Sequence, residues 1–427
     1  MFSQGLSLDQ APPISVPFRF FLTAPIFGVL IGLVFLFFPY ELIENRYSHI
    51  AIGTVHLFTL GMLSMIIFGA MQQMMPVLAG AVIKKPVLFA NVVHLGLTLG
   101  TLLFSASFIF EMKFLLHAAV TCLGISFLTF FVISIKLLMQ VKYLTSTVNA
   151  MRLFAIAGLF TALLGFVIVL GHIQDDIGPY HYAWTNAHIV FGLFGFGVLL
   201  VMGVAFQVIP MFYVAKAFPK AVENRLPLFI FALLFVISGL FFLGADIYFI
   251  KLIIAFLFII FSAYGIDSLN NRRRPVFDVT LWFWKLSLYM FIISMLNWLF
   301  VPQDSSFLLG ILFAFGFLYS LLQGMVYKII PFLAWFHLNS KGYFTVPTMR
   351  DMIKEDLIKI HFFMYVSSLF FFLITPFISE IFIYIGAGLF IVSNVMFLIN
   401  CIIAARKYSA IAKTDPMDMS AFNTPAS

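Results

Sequence analysis

Twelve apolar runs, each about as long as a bilayer is thick, follow one another along this chain with short polar loops between them. Away from water a stretch of roughly 20 apolar residues satisfies its backbone hydrogen bonds by coiling into a helix. The pattern therefore predicts an all-α integral membrane protein with twelve transmembrane helices. Composition agrees, because 63% of the 427 residues are hydrophobic, only 10% are charged, and mean hydropathy is +1.09. A water-soluble fold has no interior large enough to hide that surface. The expected spans are 20–38, 48–75, 87–110, 114–139, 153–170, 184–213, 226–243, 247–269, 279–301, 307–335, 358–377 and 380–405. Residues 1–19, interrupted by Pro12, Pro13 and Pro17, are expected on the membrane surface, and 406–427 as a tail. The first run is too long for a signal-peptide core and lacks a small-residue cleavage site.

The net charge of +7 does not point to nucleic acid, since the basic residues are scattered through short loops. Loops after even-numbered spans carry Lys84 and Lys85, Lys142 and Arg152, Lys216 to Arg225, Arg272 to Arg274, and Lys341 to Lys359. Loops after odd-numbered spans hold Glu41, Glu44 and Arg46, Glu111 and Lys113, Asp175, Asp176, Asp246, Asp304 and Glu380. The positive-inside bias then puts both termini in the cytoplasm. Within TMRDMIKEDLIKI, Met349, Met352, Ile353, Leu357 and Ile360 share one helical face, which predicts an amphipathic helix lying on the lipid surface. Cys122 and Cys401 sit inside apolar runs as packing residues.

One short pattern recurs. Gly69, Gln73 and Pro76 close the second span; Gly203, Gln207 and Pro210 close the sixth; Gly324, Lys328 and Pro331 fall in the tenth. The prolines are 134 and 121 residues apart, close to four spans each. The chain thus reads as three pseudo-symmetric four-helix units, about 20–139, 153–269 and 279–405, with the second, sixth and tenth helices lining the inside. Gln73, Gln207 and Lys328 are expected near the inner boundary, satisfying carbonyls freed by the proline or snorkelling to water. Two of the three inner helices also carry a histidine at one depth: His56 and His188 lie 20 and 22 residues before their prolines.

Twelve spans in three repeated units with these histidines resemble the catalytic subunit of the heme-copper oxidase superfamily over nearly the whole chain. The resemblance implies that His56 matches the second-helix ligand of a low-spin heme, and that His188 is nearest to the sixth-helix copper ligand. It also stops short. The seventh span has no histidine pair, the tenth has no histidine, and His337 lies at the wrong end. The ligands of an oxygen-reducing centre are missing, so the resemblance implies no terminal oxidase. It is closest to divergent members such as the NnrS-like heme proteins associated with nitric oxide stress. A bacterial inner membrane is the location it implies.

Histidine inside a membrane is costly unless it is hydrogen bonded or bound to metal. Neutral imidazole is a good ligand for heme iron, so His56 and His188 are expected to clamp one heme b, with His117 in reserve. Gly61, Gly69, Gly192, Gly195, Gly197 and Gly203 could let a flat macrocycle approach, although small residues serve helix packing as well. His172 and His181 with Asp175 and Asp176 could hold a divalent metal, but their spacing favours a solvated loop. His94 and His361 are expected in ordinary hydrogen bonds. Methionines at 62, 65, 71, 74 and 75 suit Cu(I), yet equally fill an apolar helix, and copper is the weaker expectation. The apolar runs hold almost no acids, which argues against proton pumping.

These features lead to a membrane heme-b protein related to the oxidase subunit but without oxygen reductase activity. Electron transfer, gas sensing and nitric oxide tolerance are the roles it could serve, with a redox partner or membrane subunit beside it. The alternative is a transporter or channel whose ring of helices encloses a path for a small solute, heme or copper.

Overall fold

Twelve helices long and apolar enough to cross a bilayer carry the fold in the computed structural model, which describes residues 10–176, 178–301, 306–343 and 346–414. They are α1 Ser15–Phe37, α2 His49–Ala79, α3 Pro86–Ile109, α4 Phe114–Met139, α5 Ser146–Gln174 and α6 His181–Tyr213. The second half holds α7 Lys220–Leu243, α8 Tyr248–Asn270, α9 Thr280–Phe300, α10 Ser306–Ser340, α11 Glu355–Ile374 and α12 Ile381–Ile411. An even number of crossings returns the chain to the side where α1 begins, called here the terminal face.

Burial separates the helices into two classes. In α2, α6 and α10, 67%, 83% and 72% of the most apolar window is buried, against 28–50% in the other nine. The three buried helices touch one another: Phe58 of α2 meets Phe315 of α10, Phe194 of α6 meets Phe313 of α10, and Phe68 of α2 meets Phe196 of α6. The nine others follow one another around them, and α12 packs on α1 to close the circuit. Met62, Met71, Val198, Met202, Phe317 and Leu318 on these helices are each fully buried, and Phe317 stacks on Phe291 of α9 at 3.8 Å.

Each inner helix carries a π-helical stretch: Leu57–Ser64, Phe191–Val198 and Ile311–Tyr319. Each stretch ends twelve residues before the repeated proline, at Ser64 before Pro76, Val198 before Pro210 and Tyr319 before Pro331. Ser64 and Ser320 donate from their hydroxyls to the carbonyls five residues back, the spacing that π winding leaves within reach.

Glycine contacts explain why the helices are wound this way. A Cβ on Gly69 would stand 2.8 Å from Phe20 of α1, on Gly203 2.4 Å from Ala150 of α5, and on Gly324 2.7 Å from Phe283 of α9. Eight residues earlier the contact repeats: Gly61 on Phe27, Gly195 on Ala157, and Gly316 on Met290. The inner helix advances eight residues while its outer partner advances seven. An α-helix needs about 7.2 residues for two turns, so the additional inner residue is taken up by the π stretch. Gly61→Ala is therefore expected to cost about 1–3 kcal/mol by overpacking against Phe27. Gly239→Ala, with open space around its Cβ, is expected to be neutral or slightly stabilising. Thermal unfolding in detergent separates the two, and equal melting temperatures would contradict the close packing.

Several sequence expectations change. The repeated prolines lie inside their helices, which continue to Ala79, Tyr213 and Ser340; the sixth ends where expected, while the second and tenth run four and five residues further, since proline removes one N–H and the following turn survives inside the packed bundle. The start of α1 at Ser15 takes Val16 and Phe18 into the core, so 15–19 is not a surface segment; residues 1–9 lie outside the described ones. The tail begins later than expected, because α12 runs through Arg406 to Ile411, and 415–427 is outside the description.

The amphipathic helix at 348–360 does not form as one element. Thr348 and Asp351 make a capping box around the single turn Met349–Met352, Ile353 is extended, and α11 starts at Glu355. Met352 and Ile353 are buried in the bundle while Met349 and Ile360 are exposed, so the expected apolar stripe is divided. The Thr348 hydroxyl and N–H donate to Asp351 and hold its carboxyl below the usual range.

Candidate functional site

His56 and His188 face each other across α2 and α6, near the face opposite the termini. Their ring centroids are 6.2 Å apart and their planes 21° apart. They do not hydrogen-bond to each other. Instead, His56 Nδ1 is 2.8 Å from the carbonyl oxygen of Ile52, one turn back on its own helix. His188 Nδ1 is 3.0 Å from the carbonyl oxygen of Thr161 on α5. A carbonyl only accepts, so both rings carry their proton on Nδ1 in these bonds, and both Nε2 lone pairs stay uncommitted among the described residues.

That is the arrangement in which a histidine binds a metal, with one nitrogen pinned and the other presented. One metal between two imidazoles, at roughly 2 Å from each nitrogen, sets their centroids about 6 Å apart. The two donors and their 6.2 Å centroid spacing match that requirement. Phe104 of α3 closes one side, its ring 4.6 Å from that of His56. Gly165 of α5 closes the other: a Cβ there would stand 3.0 Å from His188 Cε1 and 3.3 Å from Nδ1. Sequence reading left Gly165 and Thr161 out of the site. The carbonyl of Thr161 is backbone and carries no side-chain signal; Gly165 was one more small residue in an apolar run.

The expected glycine cradle is not part of this site. Gly61, Gly69, Gly195 and Gly203 are occupied by helix packing, Gly192 lies against Thr161, and Gly197 lies near Leu318. His117 is exposed on α4 and is not brought to the pair. At the same face His49 pairs with Glu111 at 3.5 Å beside a cleft of about 680 Å³. His172 and His181 meet edge to face at 5.6 Å, while Asp175 pairs with Lys113 and Asp176 accepts from the N–H of Gly178. Among the described residues no three histidine, cysteine or acidic side chains gather around a metal-sized space.

His94 and His361 are held by hydrogen bonds, whereas His337, buried near the end of α10, leaves its Nε2 without a partner among the described residues. His94 bonds to Thr23 at 2.8 Å. His361 is fully buried, bonded through Nδ1 to Tyr327 at 3.0 Å and through Nε2 to Ser393 at 3.1 Å. Its ring stacks on Phe397 and Phe283. Both nitrogens are used, so it has no lone pair to offer a metal.

The third repeat position also differs from expectation. Lys328 does not snorkel freely: it forms an ion pair with Asp278 and lies 5.2 Å above the ring of Tyr213. Gln73 is buried and Gln207 exposed, so the three equivalent positions have three environments.

Comparison with protein-family models and with curated proteins gives no match for this chain.

Proposed function

We propose that this chain is a membrane heme-b protein built on the oxidase-subunit plan, with His56 and His188 as axial ligands. The observation that carries this reading is the uncommitted pair of Nε2 atoms, each on a ring whose Nδ1 is held by a backbone carbonyl. The three matched glycine contacts and π stretches support a plan of three four-helix units. The loop charges support a bacterial inner-membrane protein with both termini cytoplasmic.

Within this reading a bound heme supplies one-electron and gas-ligand chemistry. The chain supplies the rest. Ile52 and Thr161 fix the tautomers and raise the basicity of the two ligands. The Phe104 ring beside His56 presents an apolar surface, which disfavours additional charge there. The missing ligands on the seventh and tenth helices leave no second centre for oxygen reduction.

The test is a reduced-minus-oxidised spectrum of the detergent-purified protein with an iron and copper assay on the same sample. A b-type Soret band with stoichiometric iron is expected. Copper without a chromophore, or neither metal, overturns the proposal.

A further inference from the structure

The two histidines are held in unequal ways, and from this, resting on the heme reading above, we infer that His188 is the anchoring ligand while His56 is exchangeable for a diatomic gas such as carbon monoxide or nitric oxide. His188 is seated by another helix. Its Nδ1 is fixed by the Thr161 carbonyl of α5, and its ring lies in the notch left by Gly165 on the same helix. Thr161 is itself secured: its hydroxyl donates to the Ala157 carbonyl at 2.8 Å, and its methyl group lies where a Cβ on Gly192 would be 3.2 Å away. Moving His188 therefore requires α5 and α6 to part.

His56 has no such seat. Its Nδ1 partner, Ile52, is on its own helix, so the bond turns with the helix and does not tie the ring to a neighbour. The neighbouring Phe104 ring of α3, 4.6 Å away and tilted by 47°, gives it an apolar contact and no hydrogen bond. It is also the last residue before the π stretch Leu57–Ser64, and the N–H of Leu57 is shared between the carbonyls of Gly53 and Thr54. The backbone at His56 thus sits at a change of helical winding, where a small rewinding swings the side chain. With a ferrous heme held here, exchange would release His56 Nε2 with its lone pair on the imidazole while the gas supplied its own. No electron or proton is exchanged with the surroundings.

The experiment compares the full-length wild type with His56→Ala, His188→Ala and Gly165→Val, each purified in detergent, reduced with dithionite and titrated with carbon monoxide. Wild type is expected to take up the gas with a shifted Soret band. His56→Ala is expected to keep its heme and bind the gas about 10-fold more tightly or better, since no internal ligand competes. His188→Ala is expected to lose heme. Gly165→Val, which keeps both histidines, is expected to weaken heme retention by about 10- to 100-fold. Equal heme loss in the two histidine variants, or heme kept by His188→Ala and lost by His56→Ala, overturns the inference. So does Gly165→Val with wild-type retention. A chromophore absent from wild type itself is a different failure and belongs to the heme proposal.

Discussion

Alanine at both His56 and His188 is expected to abolish the Soret band of the purified protein while leaving a folded, monodisperse membrane protein. Alanine at His361 is expected to do the reverse. The first pair contributes little to the fold by hydrogen bonding, because each ring makes one bond, to a carbonyl that lies in a helix. Removing both rings withdraws the two donors without stranding any side chain. His361 bridges Tyr327 and Ser393 in a fully buried site that also holds Asn400, 2.9 Å from the Tyr327 hydroxyl. Its loss leaves a cavity between Phe283 and Phe397 and takes a partner from two buried hydroxyls, a cost of about 2–4 kcal/mol. Heme per folded molecule should stay at the wild-type value in His361→Ala while its melting temperature falls. A Soret band that survives in the double variant sinks the ligand assignment. A band lost in His361→Ala molecules that remain folded would place a ligand where the structure shows a satisfied core histidine.

The contrast between these histidines also marks what could be seen in the sequence. Depth was legible: residue counts back from Pro76 and Pro210 place His56 and His188 at one level, and the structure brings their rings to 6.2 Å. The twelve helices were legible for the same reason, since apolar length is a direct demand of the bilayer. The bounds of α4 agree with expectation at Phe114–Met139 because Lys113 and Gln140 bracket the apolar run. The end of α10 was placed five residues early, at 335 where the apolar run gives way to His337 and Asn339, whereas the helix continues to Ser340.

Winding was hidden for a different reason. No residue type marks a π stretch, and the spacing of eight between Gly61 and Gly69 acquires meaning only beside the spacing of seven between Phe27 and Phe20. That comparison needs to know which helices touch. The seat of His188 was hidden in the same way: Thr161 acts through its carbonyl, and Gly165 acts by having no side chain. Positions of polar residues along an apolar run could be read locally, but functions that belong to the backbone became visible only with the packing.

The ion pair between Lys328 and Asp278 carries the second large prediction, because the repeat itself supplies the control. The first two copies of the glycine–proline pattern have glutamine where the third has Lys328. The two side chains are 23% and 17% exposed, so each loses much of its hydration and depends on the other. Asp278 has further partners, accepting from the N–H and the hydroxyl of Thr280 at 2.9 and 2.6 Å, and Thr280 bonds in turn to the Tyr213 hydroxyl at 2.8 Å. The pair thus ties α10 to the start of α9 and the end of α6 at the terminal face. Asp278→Ala removes all of this and leaves Lys328 with only the face of Tyr213, an expected loss of about 1–3 kcal/mol, limited by the lysine reaching toward water. Lys328→Gln costs less, about 1 kcal/mol, since Thr280 still satisfies the carboxylate. Asp278→Asn with Lys328→Gln restores a neutral pair and is expected to be more stable than the sum of its single variants by about 1–2 kcal/mol. Unfolding midpoints of wild type, Asp278→Asn, Lys328→Gln and the double variant complete the cycle. Additivity within roughly 0.5 kcal/mol would mean that the contact contributes no coupling between the helices it joins.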